Sequence, residues 1–299
     1  MKLSVGPILY LWERAAALDF YASLCTAPVD IVYVGEVVCS KRRMLTREDW
    51  TAVAQRLAAA GKEVVTTTLA LLEAESELAT LGRQINAASG PFEANDYAAV
   101  ESANGREFVA GPHLNVYNAA TLALLARLGA RRWVAPVELP LATLATLAVT
   151  RPAGLEIEVF AYGRLPLAFS ARCFTARAAN RPKDDCGFVC GAHPDGLTLH
   201  SRERQPFLAL NGIQTQSAAV QNLLPHLPRL RTAGVDVLRL SPQSRDFLDV
   251  VRAFDDARQA RNGPGLPDTF LSGGYCDGYL DGRAGMERAA SAAAATAPP

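Results

Sequence analysis

The 299-residue chain has no apolar run long enough to cross a bilayer. Its longest, residues 139–149, falls well short of the roughly 20 residues a membrane helix needs and carries a proline at its start. An excess of charge is also missing. Thirty basic residues face thirty acidic ones, which removes any general attraction to nucleic acid or anionic lipid. Lysine is scarce (Lys2, Lys41, Lys62 and Lys183), an arginine bias that carries no functional weight. No Gly-x-Gly-x-x-Gly follows the first apolar segment, which weighs against a dinucleotide-binding open sheet. No Gly-x-Ser-x-Gly supplies the nucleophile elbow of a serine hydrolase. The Cys-x3-Cys-x2-Cys triplet of radical S-adenosylmethionine chemistry is absent, and His113, His193, His200 and His226 show no metal-ligand spacing. Residues 1–21 lack a small-residue cleavage site, and Trp12-Glu13-Arg14 interrupts their apolar stretch. That opening reads as a first strand entering a helix, so a soluble, cytoplasmic protein is expected.

What is present is an ordinary globular composition, 49% hydrophobic and 20% charged, with ample mass for a large core. Short β-branched runs alternate with alanine- and leucine-rich helical stretches. Strands are expected at 3–9, 31–35, 63–68, 107–110, 133–136, 155–162, 207–210 and 235–240, with a further short one at 84–86. Helices are expected at 47–60, 71–81, 118–128, 141–149 and 243–262, the first opened by Thr46 and Asp49 in a near capping box. Alternation repeated about eight times predicts an α/β fold with a mostly parallel sheet, closed as a (β/α)8 TIM-like barrel. A single barrel domain over 1–284 and a flexible alanine-rich tail over 285–299 complete the expected organisation.

Residues 170–195 break this alternation and follow the sixth expected strand. In a barrel they form a long loop on the C-terminal face, where such folds place their chemistry. Three cysteines lie there as Cys173-x12-Cys186-x3-Cys190, and Cys39 follows the second strand on the same face. Four thiolates meeting at one point suit either a cubane iron–sulfur cluster or a tetrahedral zinc ion, and residue types alone leave both open. Two features favour iron–sulfur. A Cys-x3-Cys step is uncommon among structural zinc knuckles, and no second tight pair exists to complete one. Lys41, Arg42, Arg43, Arg172, Arg177, Arg181 and Lys183 surround the cysteines, where cations stabilise thiolates. Cys25, before Thr26-Ala27-Pro28, reads as a packing residue. Cys276, in a glycine-rich segment, is likewise left out of the ligand set.

The run Ala171-Arg172-Cys173-Phe174-Thr175-Ala176-Arg177 with Arg181-Pro182-Lys183-Asp184-Asp185-Cys186 resembles the collagenase-like peptidase family. It is most similar to the branch of that family serving oxygen-independent ubiquinone biosynthesis. The opening residues 1–12, Val34-Gly35-Glu36-Val37-Val38-Cys39-Ser40-Lys41-Arg42 and Asn211-Gly212-Ile213-Gln214-Thr215 share the likeness, which extends to about Gly282. The resemblance implies a [4Fe–4S] cluster on Cys39, Cys173, Cys186 and Cys190. It also implies a heterodimer with a homologous, UbiU-like subunit and a role in hydroxylating the ubiquinone precursor ring without molecular oxygen. The apolar spacer Gly187-Phe188-Val189 departs from the family's more polar one and leaves the ligands intact. A zinc-stabilised scaffold and a peptidase-like hydrolase are the competing functions.

Polar residues at expected strand ends are further pocket candidates: Glu36, Thr66, Thr67, Thr68, Asn115, Glu138 and Arg239. Each also suits a helix cap or a loop hydrogen bond. His193, close to Cys190, is a candidate hydrogen-bond donor to a bound cluster. Asn211-Gly212 reads as a turn.

Overall fold

The short β-branched runs become the staves of a ring. In the computed structural model, which describes residues 1–266 and 268–288, the strands are β1 (Lys2–Val5), β2 (Ile31–Val34), β3 (Glu63–Thr67), β4 (Phe92–Ala94), β5 (Phe108–Ala110), β6 (Ala130–Val134), β7 (Glu156–Phe169), β8 (Leu197–His200), β9 (Pro206–Asn211), β10 (Gln214–Asn222), β11 (Val237–Leu240) and β12 (Tyr275–Cys276). From β1 to β7 each strand pairs parallel with the next, and β11 pairs parallel with both β7 and β1. The sheet is thereby a closed eight-stranded parallel barrel, as the alternation predicts.

Helices α1 (Arg14–Leu24), α2 (Arg47–Ala59), α3 (Glu75–Ala87), α4 (Tyr97–Glu101), α5 (Ala119–Arg127), α6 (Leu141–Val149), α7 (Phe174–Ala178), α8 (Leu227–Thr232) and α9 (Phe247–Arg258) connect the strands. Each of the longer ones buries a stripe at helical spacing, such as Val53 and Leu57 of α2, or Val250, Val251 and Phe254 of α9. The start of α2 is a full capping box. Thr46 Oγ1 accepts from the Asp49 N–H at 3.2 Å, and Asp49 Oδ2 accepts from the Thr46 N–H at 2.9 Å. Arg14 of α1 donates to the same carboxylate at 2.9 and 2.5 Å, which fastens α1 to α2.

The structure corrects four sequence expectations. Residues 84–86 are the last turn of α3, because Leu81 and Ile85, four apart, bury on one helix face. A barrel strand, β4, is only three residues long and had no pattern to reveal it. The strand before the cysteine loop is therefore the seventh of the barrel, not the sixth. Finally, the segment expected at 207–210 is β9, outside the ring. It pairs antiparallel with β8 and β10, and β10 pairs antiparallel with the far half of β7. These strands make an arm rising from the barrel, with β12 parallel to β10.

Of the tail expected over 285–299, residues 285–288 are described, and the Glu287 carbonyl accepts from the Asp277 and Gly278 N–H groups at 2.9 and 3.0 Å. Residues 289–299 lie outside the described residues. Among the described residues, no helix is long and apolar enough to cross a membrane.

A polar stack fills much of the barrel interior. Near the N-terminal end, Arg132 bridges Glu63 at 3.1 Å and Glu156 at 2.6 Å. One layer up, fully buried Glu158 accepts from Tyr33 Oη at 2.6 Å, Ser4 Oγ at 2.7 Å and Arg239 Nε at 2.7 Å. Burial pushes the Glu158 carboxyl up, but Arg239 and Arg132 outweigh it and hold the group below its ordinary value. Above that, Glu93 meets Arg239 Nη1 at 2.8 Å and accepts from Thr67 Oγ1 at 2.6 Å. The Arg239 guanidinium lies 4.0 Å from the Tyr33 ring centre.

Candidate metal centre at the barrel rim

Cys39 lies in the loop that leaves β2. Glu36 shapes that loop, its carboxylate accepting from the Val38 and Cys39 N–H groups at 2.7 and 3.1 Å. The Arg42 N–H returns to the Cys39 carbonyl at 3.0 Å, closing a turn around the cysteine. Cys173 is the N-cap of α7, its Sγ accepting from the Ala176 N–H at 3.4 Å. Cys186 closes a short 3-10 turn over Lys183–Asp185, and Cys190 sits inside another over Val189–Ala192. Between them Gly187 and Phe188 both adopt positive φ, 57° and 52°, which reverses the chain. All four thiols are free and half-buried.

Buried Arg42 ties the cysteine loops together. Its Nη1 donates to the Leu9 carbonyl at 2.6 Å and its Nη2 to Asn211 Oδ1 at 2.7 Å, while Nε is buried without a partner. Asn211 and Gly212 begin the β9–β10 hairpin, whose Gly212 carries φ +65°, as a II′ turn with glycine in its first central place requires. The tip of that hairpin holds the start of α7: the Phe174 N–H donates to the Gly212 carbonyl at 3.1 Å, and Thr175 Oγ1 accepts from the Gly212 N–H at 2.9 Å. Lys41 links the remaining loop, donating to the Lys183 carbonyl at 3.1 Å and to Asp184 at 2.6 Å. Beneath the thiols, Cys39 and Cys173 rest on one apolar cluster of Leu9, Val37, Val38 and Ile213.

The thiols share an electrostatic environment. Burial pushes the Cys39 thiol up, against the pull of the Lys41 N–H and the Arg42 charge; Cys173 raises it further. Burial also raises Cys190, against the pull of Arg42, with Cys173 and Cys186 adding to the rise. The surrounding cations thus do not keep these two thiols ionised, as their number in the sequence suggests. Desolvation wins. Among the described residues, no three His, Cys, Asp or Glu side chains are gathered as tightly as a single metal ion requires.

Other expected residues divide clearly. Lys183 pairs with Glu73, whereas Arg43, Arg172, Arg177 and Arg181 are exposed. Cys25 ends α1 and donates to the Tyr21 carbonyl at 3.8 Å. Cys276 is buried with Phe160, Leu165 and Ala219, which pushes its thiol up to about 12. Neither belongs to the apolar cluster under Cys39 and Cys173. Thr67, Thr68 and Arg239 turn inward to Glu93, while Glu138 accepts from Tyr117 at the surface. His113 lies edge-on to Phe169 at 4.8 Å, and burial with the nearby Arg239 lowers its pKa to about 3. Sequence reading missed Tyr33, Glu93, Asn95, Arg132 and Glu158; a charged residue in the middle of a β-branched run was the available signal.

Solved structures with a similar arrangement include a U32 peptidase at 10% identity, covering 81% of this chain and 93% of that one with a TM-score of 0.46. A tryptophan synthase complex from Pyrococcus furiosus matches at 10% identity, with coverages of 87% and 98% and a TM-score of 0.45. A dihydropteroate synthase from Xanthomonas albilineans matches at 11% identity, with coverages of 87% and 94% and a TM-score of 0.40. The sequence is more specific than these likenesses: residues 18–264 match the pattern described as Peptidase family U32, and the chain belongs to that family.

Proposed function

We propose that the chain is an iron–sulfur subunit of oxygen-independent ubiquinone biosynthesis, of the UbiV type, with a [4Fe–4S] cluster held by Cys39, Cys173, Cys186 and Cys190. In this reading it works in the cytoplasm with a homologous UbiU-like partner to hydroxylate the ubiquinone precursor ring. The observation that carries the proposal is the set of four free, half-buried thiols on loops stitched to one another through Arg42, Asn211 and Lys41. The donor set fits the group. Four cysteine thiols are the donor set of a cubane, which presents one iron to each thiolate. Buried Arg42 acts on Cys190 through its charge and a side-chain hydrogen bond, and so supplies a cationic donor beside that thiol.

A bound cluster would supply one-electron transfer. The chain's own residues do the rest. The thiolates hold the irons, Arg42 offsets their negative charge, and Glu36 and Lys41 fix the loops. A groove of about 630 Å³, lined by Trp12, Phe20 and Phe247, by charged residues such as Arg245, Asp246 and Asp249, and by Gly191 beside Cys190, has the size to take a small aromatic substrate.

Protein purified without air, together with its partner, should be brown and contain about four irons per chain. Replacing any one of the four cysteines by alanine should remove the iron and ring hydroxylation together. Cys25→Ser and Cys276→Ser should keep the iron. Colourless protein with about one zinc per chain would instead establish the zinc-stabilised scaffold. The family's peptidase description favours a second reading, a hydrolase acting on peptides. Hydrolysis that survives replacement of all four cysteines would select it.

A further inference from the structure

Arg42 is a buried cation held by neutral groups. Its side chain is 2% exposed, and among the described residues its one ion pair is a loose contact with Glu36 Oε1 at 3.8 Å. That oxygen is already engaged with the Val38 and Cys39 N–H groups. The close partners of the guanidinium are two uncharged oxygens, the Leu9 carbonyl at 2.6 Å and Asn211 Oδ1 at 2.7 Å. A cation taken out of water is costly unless an anion answers it, and here the barrel loops supply none at hydrogen-bond distance.

The orientation of Asn211 is fixed by its neighbours. Its Nδ2 donates to the same Leu9 carbonyl at 2.7 Å and to Gln214 Oε1 at 3.1 Å. Turning the amide over would set its oxygen against the Leu9 carbonyl and its N–H groups against the guanidinium. Arg42, Leu9 and Asn211 thus close a ring of three hydrogen bonds. Gly212 completes the seat, since a Cβ there would stand 2.9 Å from Arg42 Nη2. The other side of the same turn holds the start of α7 behind Cys173, through Phe174 and Thr175.

We infer that Asn211 is a positioning residue for the metal centre: its neutral amide aims the Arg42 guanidinium at the cysteine loops and leaves the positive charge unspent. That charge bears on Cys39 and on Cys190. A carboxylate at position 211 would grip the guanidinium as firmly and cancel its charge. The choice of amide over acid therefore matters to the metal and not to the fold alone. The redox consequence rests on the iron–sulfur reading, in which a cation near the sulfurs raises the cluster's potential. The aim of Arg42 does not depend on it.

The test compares the unaltered protein with Asn211→Asp, Asn211→Ala and Arg42→Gln, each purified without air together with its partner. Asn211→Asp can be accommodated, because Gln214 Nε2 has no hydrogen bond and can turn to face the new oxygen. The expected result is that Asn211→Asp keeps its iron and lowers the midpoint potential of the cluster, in the same direction as Arg42→Gln. A crystal structure of Asn211→Ala should show the guanidinium moved from its parental place. A parental potential in Asn211→Asp or in Arg42→Gln would overturn the inference, as would an unmoved guanidinium in Asn211→Ala. Unaltered protein without iron would defeat the cluster reading by itself, and the place of the guanidinium in Asn211→Ala would still decide this one.

Discussion

The two halves of β7 share a backbone and little else. Before Gly163 the strand lies in the barrel wall, fully burying Glu158 between two arginines. Beyond it, Leu167 and Ala168 are exposed and the strand pairs with β10 in the arm. Gly163 marks the change, with φ +130° and no room for a side chain, since a Cβ there would stand 2.5 Å from that of Ser241. The barrel is held from inside by paired charges in a dry interior, where each partner is needed because a lone buried charge is costly. The arm's outer strand, β8, is held chiefly by strand pairing. Its outward leucines face each other across the ladder, Leu197 opposite Leu210 and Leu199 opposite Leu208, without entering any buried cluster among the described residues.

Breaking the barrel side of this contrast should have the largest effect. Arg239→Met strands Glu93 and Glu158 and should cost about 3–5 kcal/mol in urea unfolding. A loss below about 1 kcal/mol would show that charge pairing does not hold the interior.

Acid should also discriminate. His113 is held at about 3 in the fold against an ordinary 6.5, so the unfolded chain takes up a proton that the folded chain refuses. Its contribution is intact above pH 6.5 and is lost progressively as pH falls towards 3. His113→Phe should flatten stability against pH in that window, whereas an unchanged slope would assign the acid sensitivity elsewhere. A smaller effect is expected at α2, where Thr46→Ala removes half of the capping box and should cost about 1 kcal/mol by thermal melting. Least of all, Leu199→Ser on the arm should stay within about 0.5 kcal/mol of the parent. A loss comparable to that of a core leucine would mean that the arm's outer face is covered in the isolated chain.

The same contrast explains what could be read from sequence. Barrel strands such as β2 and β11 announce themselves because Ile31, Val32, Val237 and Leu238 crowd together on fully buried staves. Alternation alone then yields the ring. The strand count nevertheless reached eight through two offsetting errors: β4 was too short to show, and β9 was counted in its place. Asn211-Gly212 held the correction, since a two-residue hairpin joins antiparallel strands, but the glutamines and alanines of β10 concealed the partner. The cysteines were legible as a set because rare residue types on loops of one face need no packing information. Arg42 was legible only as a nearby cation, because its bond to Asn211 spans 169 positions. The inner polar stack was hidden for a related reason: charge in mid-strand ordinarily signals a solvent-facing side.

One uninterrupted strand serving both the ring and the arm has an evolutionary corollary. In most α/β barrels a rim loop can be swapped between relatives at its two ends. Here the donor of Cys173, Cys186 and Cys190 begins inside the wall, at Glu156, and its hinge at Gly163 is fitted to Ser241 at the far side of the chain. Recombination that moved this cysteine segment alone would leave the recipient with a mismatched stave.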